Sequence, residues 1–156
     1  MSSHAVVEAT GKTGLDPAPV NVRMKIAGLW TAMLFVFAYV DLFSLYRPDV
    51  RADIEAGKIS DFTIGRPFLL ATTAYVAIPS LMVVAVLVSP AVVARVANLV
   101  LSVFYALTIV ASAIGEWSYY VVGSAIEVVL LLAVAHLAWR WPRLGDATPG
   151  FSPRRA

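Results

Sequence analysis

The sequence predicts an all-α, polytopic membrane protein: a four-transmembrane-helix bundle with a short interfacial helix in the first loop. Hydrophobic residues fill 60% of the 156 positions and charged residues 14%, against about 45–50% and about 25% in an ordinary soluble domain. The mean hydropathy is +0.79. A soluble domain of this composition would expose too much apolar surface. The chain also contains four separate apolar stretches, each near the roughly 20 residues that a bilayer-spanning helix needs.

The order of polar and apolar segments predicts a transmembrane domain at residues 23–142 between two disordered cytoplasmic tails, at 1–22 and 143–156. The spans are helical because lipid offers no hydrogen-bond partner to an open backbone. The first span is longer than the roughly 7–15 apolar residues of a signal peptide, so we expect it to be retained. The predicted spans are about 26–46, 67–88, 92–113 and 120–141.

The loop at 47–66 is the only long connection between predicted spans. Pro48 and Gly57 bracket a segment in which Val50 and Ile54 share one face. Proline near a helix start and glycine just past its end are typical of a short helix. We interpret it as an amphipathic helix on the membrane surface. The alternative is a cap over the bundle that binds a partner or a ligand.

Charge predicts the orientation and excludes some classes of partner. Eight of the 12 lysine and arginine residues lie on the side of the two termini, and the other four lie in the loop at 47–66. Positive charge favours the cytoplasmic side, so both termini are predicted to be cytoplasmic. A net charge of +2 is too balanced to indicate nucleic acid as a partner. The absence of cysteine excludes disulfides, thiol catalysis and cysteine-based zinc sites.

Two carboxylates inside the predicted spans form the candidate site. Asp41 lies five residues before the predicted end of span one, and Glu127 lies seven residues after the predicted start of span four. At 1.5 Å per residue, these positions are about 7 and 10 Å below the outer boundary, so we expect matched depths. Two nearby carboxylates cannot both carry charge cheaply, so the pair could hold a proton or a cation, or form part of a ligand site.

Polar residues on the same helix faces complete the candidate site. Tyr120 and Ser124 precede Glu127 by seven and three residues, and Tyr105 and Ser112 belong to a polar stripe on span three. The structural alternative is that the buried carboxylates only connect helices through tyrosine, serine or asparagine donors. His136 lies on the opposite face from Glu127 and has no second ligand at metal spacing, so no metal site is predicted.

Several short motifs resemble a family of small bacterial four-helix integral membrane proteins known only as a domain of unknown function. They are Tyr39-x-Asp41, the span exit Leu45-Tyr46-Arg47-Pro48, Pro79 within a span and Glu127 in the final span. The resemblance covers about residues 24–142 and implies a bundle in a bacterial inner membrane, with no assigned activity. In topology alone the chain is also similar to DoxX-like proteins.

Three functions are compatible with the sequence. The first is a non-enzymatic membrane component that binds a small ligand or a partner, either another membrane protein or a second copy of the chain. The second is a proton- or cation-coupled transporter of a small hydrophobic or cationic molecule that uses Asp41 and Glu127. The third is a membrane enzyme, which is disfavoured because the sequence has no nucleophile–base pair, metal cluster or phosphate-binding loop. No cofactor is predicted.

The predicted orientation can be tested with single cysteines, since the chain has none of its own. In intact cells a membrane-impermeant maleimide should label Lys58→Cys in the loop. It should label Arg143→Cys only after the membrane is permeabilised. The cysteine-free parent is the control for background labelling, and the reverse pattern would contradict the cytoplasmic placement of the termini.

Overall fold

The computed structural model describes residues 20–59 and 62–141. The predicted tails lie outside this part of the chain except for residues 20–22, of which Val22 already belongs to the first helix. In chain order the elements are α1 (Val22–Ser44), α2 (Pro48–Glu55), β1 (Lys58–Ile59), β2 (Phe62–Thr63), α3 (Arg66–Val88), α4 (Ala91–Ser112) and α5 (Ser118–Trp139).

Helices α1, α3, α4 and α5 confirm the four predicted spans, with every boundary within four residues of its predicted position. Each has 22 or 23 residues and is apolar enough to cross a membrane. At 1.5 Å per residue such helices are about 33–35 Å long, which suits a hydrocarbon core about 30 Å thick.

The four long helices form a bundle in which α5 packs closely against both α4 and α1, and α1 packs against α3. The first and last spans are therefore neighbours in the bundle. Gly123 allows the close approach of α5 to α1, because a side chain at that position would collide with Val40. Helices α3 and α4 make the sparsest contact of the neighbouring pairs, although only Ser89 and Pro90 separate them in the chain.

Two arginines cap helices at the end of the bundle where α1 begins and α5 ends. The Arg23 guanidinium donates to the carbonyls of Val86 (2.8 Å) and Ser89 (2.7 Å), where α3 ends. Arg95 of α4 donates to the Ala138 carbonyl in the last turn of α5 at 3.2 Å. Positive charge at a helix C-terminus satisfies free carbonyls and complements the helix dipole. This end is called the arginine end below.

The opposite end, called the loop end, consists of residues 45–59, 62–65 and 113–117. Helix α2 confirms the short helix predicted there: it begins at Pro48, and Gly57 follows it with a φ of 75°, which glycine adopts without strain. The β1–β2 hairpin was not predicted. Its strands have two residues each, and the Ile64 amide donates to the Gly57 carbonyl at its base (2.8 Å). Such short strands leave little periodicity to detect.

A proline in the middle of α3 is compensated by a tyrosine of α4. Pro79 has no amide hydrogen, so the carbonyl of Tyr75, one turn earlier, loses its helical partner. The Tyr105 hydroxyl donates a 2.6 Å hydrogen bond to that carbonyl. A second bond of 2.7 Å joins the hydroxyls of Tyr75 and Thr108. Both bonds connect α3 to α4 at the level of the proline, where the two helices otherwise contact little.

Removing the Tyr105 hydroxyl should destabilise the bundle. We expect Tyr105→Phe to lower the free energy of unfolding in detergent by about 1 kcal/mol, because the Tyr75 carbonyl is left without a donor. Adding Pro79→Ala should restore most of that loss, since alanine supplies the missing helical amide.

The control is Tyr120→Phe, which removes only a long 3.4 Å contact to Ser112 and should change stability less. Additive effects of Tyr105→Phe and Pro79→Ala, without rescue, would show that the hydroxyl does not replace the missing amide.

Candidate functional site

A cavity of about 630 Å³ lies between the four long helices in the half of the bundle nearest the loop end. Every long helix contributes to its wall, and Phe62 of the hairpin lies at its mouth. The sparse packing of α3 against α4 leaves the space for it. The lining residues are Phe37, Val40, Asp41, Phe62, Tyr75, Thr108, Ile109, Ala111, Ser112, Tyr120 and Glu127.

Both predicted carboxylates line this cavity, but at different depths. Helix α1 ends at Ser44, two residues earlier than predicted, and α5 begins at Ser118, also two residues earlier. Asp41 is therefore about 4.5 Å and Glu127 about 13.5 Å from the loop end of its helix. The expected equal depth was wrong, because each helix end shifts by half a turn in the direction that separates the two residues. Asp41 lies at the mouth and Glu127 at the floor.

Burial of the two carboxylates follows the same order. Asp41 is exposed, whereas Glu127 is only 2% exposed. Tyr75 reaches the same depth as Glu127, since it lies nine residues from the start of α3. The floor thus combines a buried acid with a phenol ring.

The hydrogen bonds that connect the helices use other groups. The Trp30 indole donates to the Asn98 side chain (2.7 Å), Tyr105 donates to the Tyr75 carbonyl, and the hydroxyls of Ser44 and Tyr119 are 2.8 Å apart. Neither Asp41 nor Glu127 takes part in these bonds. The alternative in which the carboxylates serve as interhelical connectors therefore finds no support in this geometry.

The other four predicted site residues divide into two pairs. Tyr120 and Ser112 line the cavity beside the carboxylates. Ser124 is buried in α5 and Tyr105 lies beneath the cavity, with its ring edge-on to Trp30 at 6.1 Å. Helical periodicity indicates which face a residue occupies but not the level at which a cavity ends, so it grouped these residues together.

Sequence reasoning missed seven of the eleven lining residues, and four of the seven are aromatic or polar: Phe37, Phe62, Tyr75 and Thr108. Thr108 could have been found, because it follows Tyr105 by three residues on the polar stripe of α4. Tyr75 is the only tyrosine of α3 but has no charged neighbour in the sequence to mark it. Phe62 belongs to the hairpin, which the sequence did not predict.

The lining is suited to a small organic cation. The volume of the cavity, about 630 Å³, lies within the range of about 300–1,000 Å³ typical of ligand sites. Two carboxylates supply negative charge, and Phe37, Tyr75 and Tyr120 supply rings whose faces attract cations. Among the described residues, no three histidine, aspartate or glutamate side chains come together as a metal site.

A charged cluster at the loop end lies outside the cavity. Arg47 pairs with Asp49 at 2.6 Å and with Glu116, and its guanidinium lies 4.7 Å from the ring centre of Trp117. The hydrogen bond from Arg47 lowers the pKa of Asp49, and the bond to Asp49 raises the pKa of Arg47. Both groups are therefore charged at neutral pH. The cluster joins the connection after α1 to the connection before α5.

The fold defines the class of protein: the four long apolar helices in the described part of the chain make a multi-pass integral membrane protein. The chain belongs to the Family of unknown function (DUF6326), whose model matches residues 20–148. This match confirms the resemblance to an uncharacterised membrane family. No curated protein and no solved structure matches the chain.

The position of the cavity predicts a difference in thiol reactivity. Ser112→Cys lines the cavity near its mouth, whereas Val110→Cys is at an exposed position outside it, two residues earlier in the same helix. A cationic methanethiosulfonate reagent should modify Ser112→Cys about tenfold faster, because the nearby carboxylates attract it. Equal rates at the two positions, or no preference for the cationic over a neutral reagent, would contradict this account of the cavity.

Proposed function

We propose that this protein is a non-enzymatic component of the membrane that binds a small organic cation in the cavity between Asp41 and Glu127. The observation that supports the proposal most directly is that the two carboxylates, from α1 and α5, line one cavity. The class of ligand follows from charge and shape: a protonated amine or another monovalent organic cation with an apolar body.

The electrostatic cost of Glu127 favours such a ligand. A carboxylate in a membrane helix costs roughly 2.5–3.5 kcal/mol at the centre of the bilayer, so it normally has a partner. Glu127 is buried at the floor of a ligand-sized cavity, and the bonds described between helices do not involve it. A bound cation would supply the missing charge, and Asp41 at the mouth would attract it during entry.

The aromatic side chains favour an organic cation over a bare metal ion. Phe37 and Tyr75 present rings to the same space as the carboxylates, and their own centres are 6.1 Å apart. A ring face attracts a desolvated organic cation by about 0.5–2 kcal/mol. Metal ions instead prefer several oxygen ligands at short distance.

A proton- or cation-coupled transporter is the second candidate function, and Pro79 favours it. Proline is a frequent site of helix bending, and here it lies one turn beyond Tyr75, which forms part of the floor. Bending of α3 at this point would open the floor toward the arginine end. In this state the layer of Trp30, Asn98 and Tyr105 closes that route.

We further infer that the protein is in a bacterial inner membrane with both termini in the cytoplasm, in line with the distribution of positive charge. The loop end would then face outward and the cavity would accept its ligand from the outer side. The exposed helix faces remain available to lipid, to a second copy or to another membrane protein.

Binding of tetraphenylphosphonium tests the proposal. Equilibrium dialysis of the full chain in mild detergent should give saturable binding, and Glu127→Gln should weaken it about tenfold, which corresponds to a loss of about 1.4 kcal/mol. Asp41→Asn should weaken it less, because Asp41 is exposed at the mouth.

The matched control is Asp53→Asn, which removes an exposed carboxylate of α2 outside the cavity and should leave binding unchanged. Equal binding by the parent and Glu127→Gln would reject the cation site. Uptake into proteoliposomes separates the two functions: gradient-driven accumulation that requires Glu127 identifies a transporter, and binding without accumulation identifies a binding protein.

A further inference from the structure

A second space, of about 470 Å³, adjoins the carboxylate cavity on the side of α3. It is called the α3 groove below. Phe62 and Tyr75 line both spaces, so the two adjoin at the hairpin and again at the depth of Tyr75. The residues that line the α3 groove are Phe62, Thr63, Phe68, Ala71, Thr72 and Tyr75.

The wall that α3 contributes is one stripe along the helix. Ala71, Thr72 and Tyr75 follow Phe68 by three, four and seven residues, which places all four on one face. The stripe spans seven residues, about 10.5 Å at 1.5 Å per residue. The Phe62 ring stacks on Phe68 with 6.1 Å between ring centres and so covers the stripe at the loop end. The α3 groove is therefore elongated along the helix axis.

The chemistry of this wall suits an apolar chain. Among the described residues, those that line the α3 groove carry no charge. The Thr72 hydroxyl donates to the Phe68 carbonyl at 3.0 Å, so it is satisfied within α3 and needs no partner in the groove. A chain of methylene groups can fill such a space without leaving a polar group unpaired.

The loop-end half of α3 is open to the surrounding lipid in the described part of the chain. All six residues at 69–74 are exposed, and six residues make more than one full turn of helix. Tyr75 is half-buried and Pro79 is buried, so α3 packs more closely against the bundle from Tyr75 onward. A molecule can therefore reach the α3 groove sideways from the bilayer.

The two adjoining spaces match the two parts of an amphiphilic cation. The cavity supplies Asp41 and the buried Glu127, and the hydrogen bonds described between helices do not involve either carboxylate. The α3 groove beside them supplies an apolar slot. An acyl chain of the bilayer alone would fill the slot but leave the carboxylates without a positive partner. A transmembrane helix of a second copy would need a surface about 30 Å long, whereas the stripe is about 10.5 Å long.

We propose that the ligand of the carboxylate cavity is an amphiphilic cation, an amine or quaternary ammonium with a linear apolar chain. It enters sideways from the bilayer, with its head between Asp41 and Glu127 and its chain in the α3 groove. This inference rests on the proposed cation site, and it adds the class of ligand and the route of entry.

Two labelled quaternary ammonium ions test the inference: dodecyltrimethylammonium, which has a long chain, and tetraethylammonium, which has none. Equilibrium dialysis of the full chain uses the same detergent on both sides, so partition of each ion into micelles is equal for every variant. Ala71→Trp and Thr72→Trp fill the α3 groove from exposed positions. Each should weaken binding of dodecyltrimethylammonium about tenfold and binding of tetraethylammonium less than about twofold.

Ala74→Trp is the matched control, because it makes the same change at an exposed position of α3 that lines neither space. It should leave the binding of both ions unchanged. Glu127→Gln should weaken the binding of both ions about tenfold, since both heads occupy the cavity. Helical content measured by circular dichroism confirms that each variant is folded before it is compared.

The variants separate failure of this inference from failure of the cation site. If Glu127→Gln leaves the binding of both ions unchanged, the cation site is rejected and the inference falls with it. If Glu127→Gln weakens both but the two groove variants affect dodecyltrimethylammonium no more than Ala74→Trp does, the cation site stands and the α3 groove does not hold the chain. Equal losses of the two ions in the groove variants would overturn the inference in the same way.

Discussion

The hydrogen bond from the Tyr105 hydroxyl to the Tyr75 carbonyl holds α3 against α4 at the level where the carboxylate cavity ends. It exists because Pro79 cannot donate to that carbonyl and because the membrane interior has no water to replace the donor. Above this bond, α3 and α4 leave space for the cavity. Below it, Trp30 and Asn98 fill the interior and complete their own hydrogen bonds. The carbonyl that Pro79 leaves without a helical donor therefore lies at the level where the cavity ends.

The need of free backbone carbonyls for a donor also explains the arginines at one end of the bundle. Arg23 and Arg95 donate to carbonyls where α3 and α5 end, so the closed end is held together through backbone groups. At the loop end Arg47 instead contacts carboxylates and an aromatic ring, which joins two connections without filling the space between the helices. One end is therefore closed, and the cavity lies in the half of the bundle nearest the other end.

The sequence was sufficient to predict the architecture because lipid leaves the backbone few choices. Four apolar runs gave four helices, and Pro48 and Gly57 marked the short helix of the loop. The hairpin was missed because pairing over two residues leaves no pattern in the sequence. Asp41 and Glu127 could form one site only if the first and last spans were neighbours; these spans do pack together, and both residues line one cavity.

The depth of a side chain in the bundle was harder to predict than the helix face on which it lies. A change of two residues at each helix end was enough to move Asp41 to the mouth and Glu127 to the floor. Tyr105 shared the predicted polar face but serves the α3 backbone instead. Tyr75 entered the site because α3 completes the bundle, a relation between distant segments that no local pattern of α3 records.

Val40 lines two spaces: the carboxylate cavity, and a groove on the outer surface between α1 and α5. Val40 packs against Gly123, and the wall at this point is one side chain thick. Movement of that side chain widens one space and narrows the other. Molecules that displace Val40 from opposite sides would therefore compete without touching each other, and by thermodynamic reciprocity each would weaken the affinity for the other by the same factor.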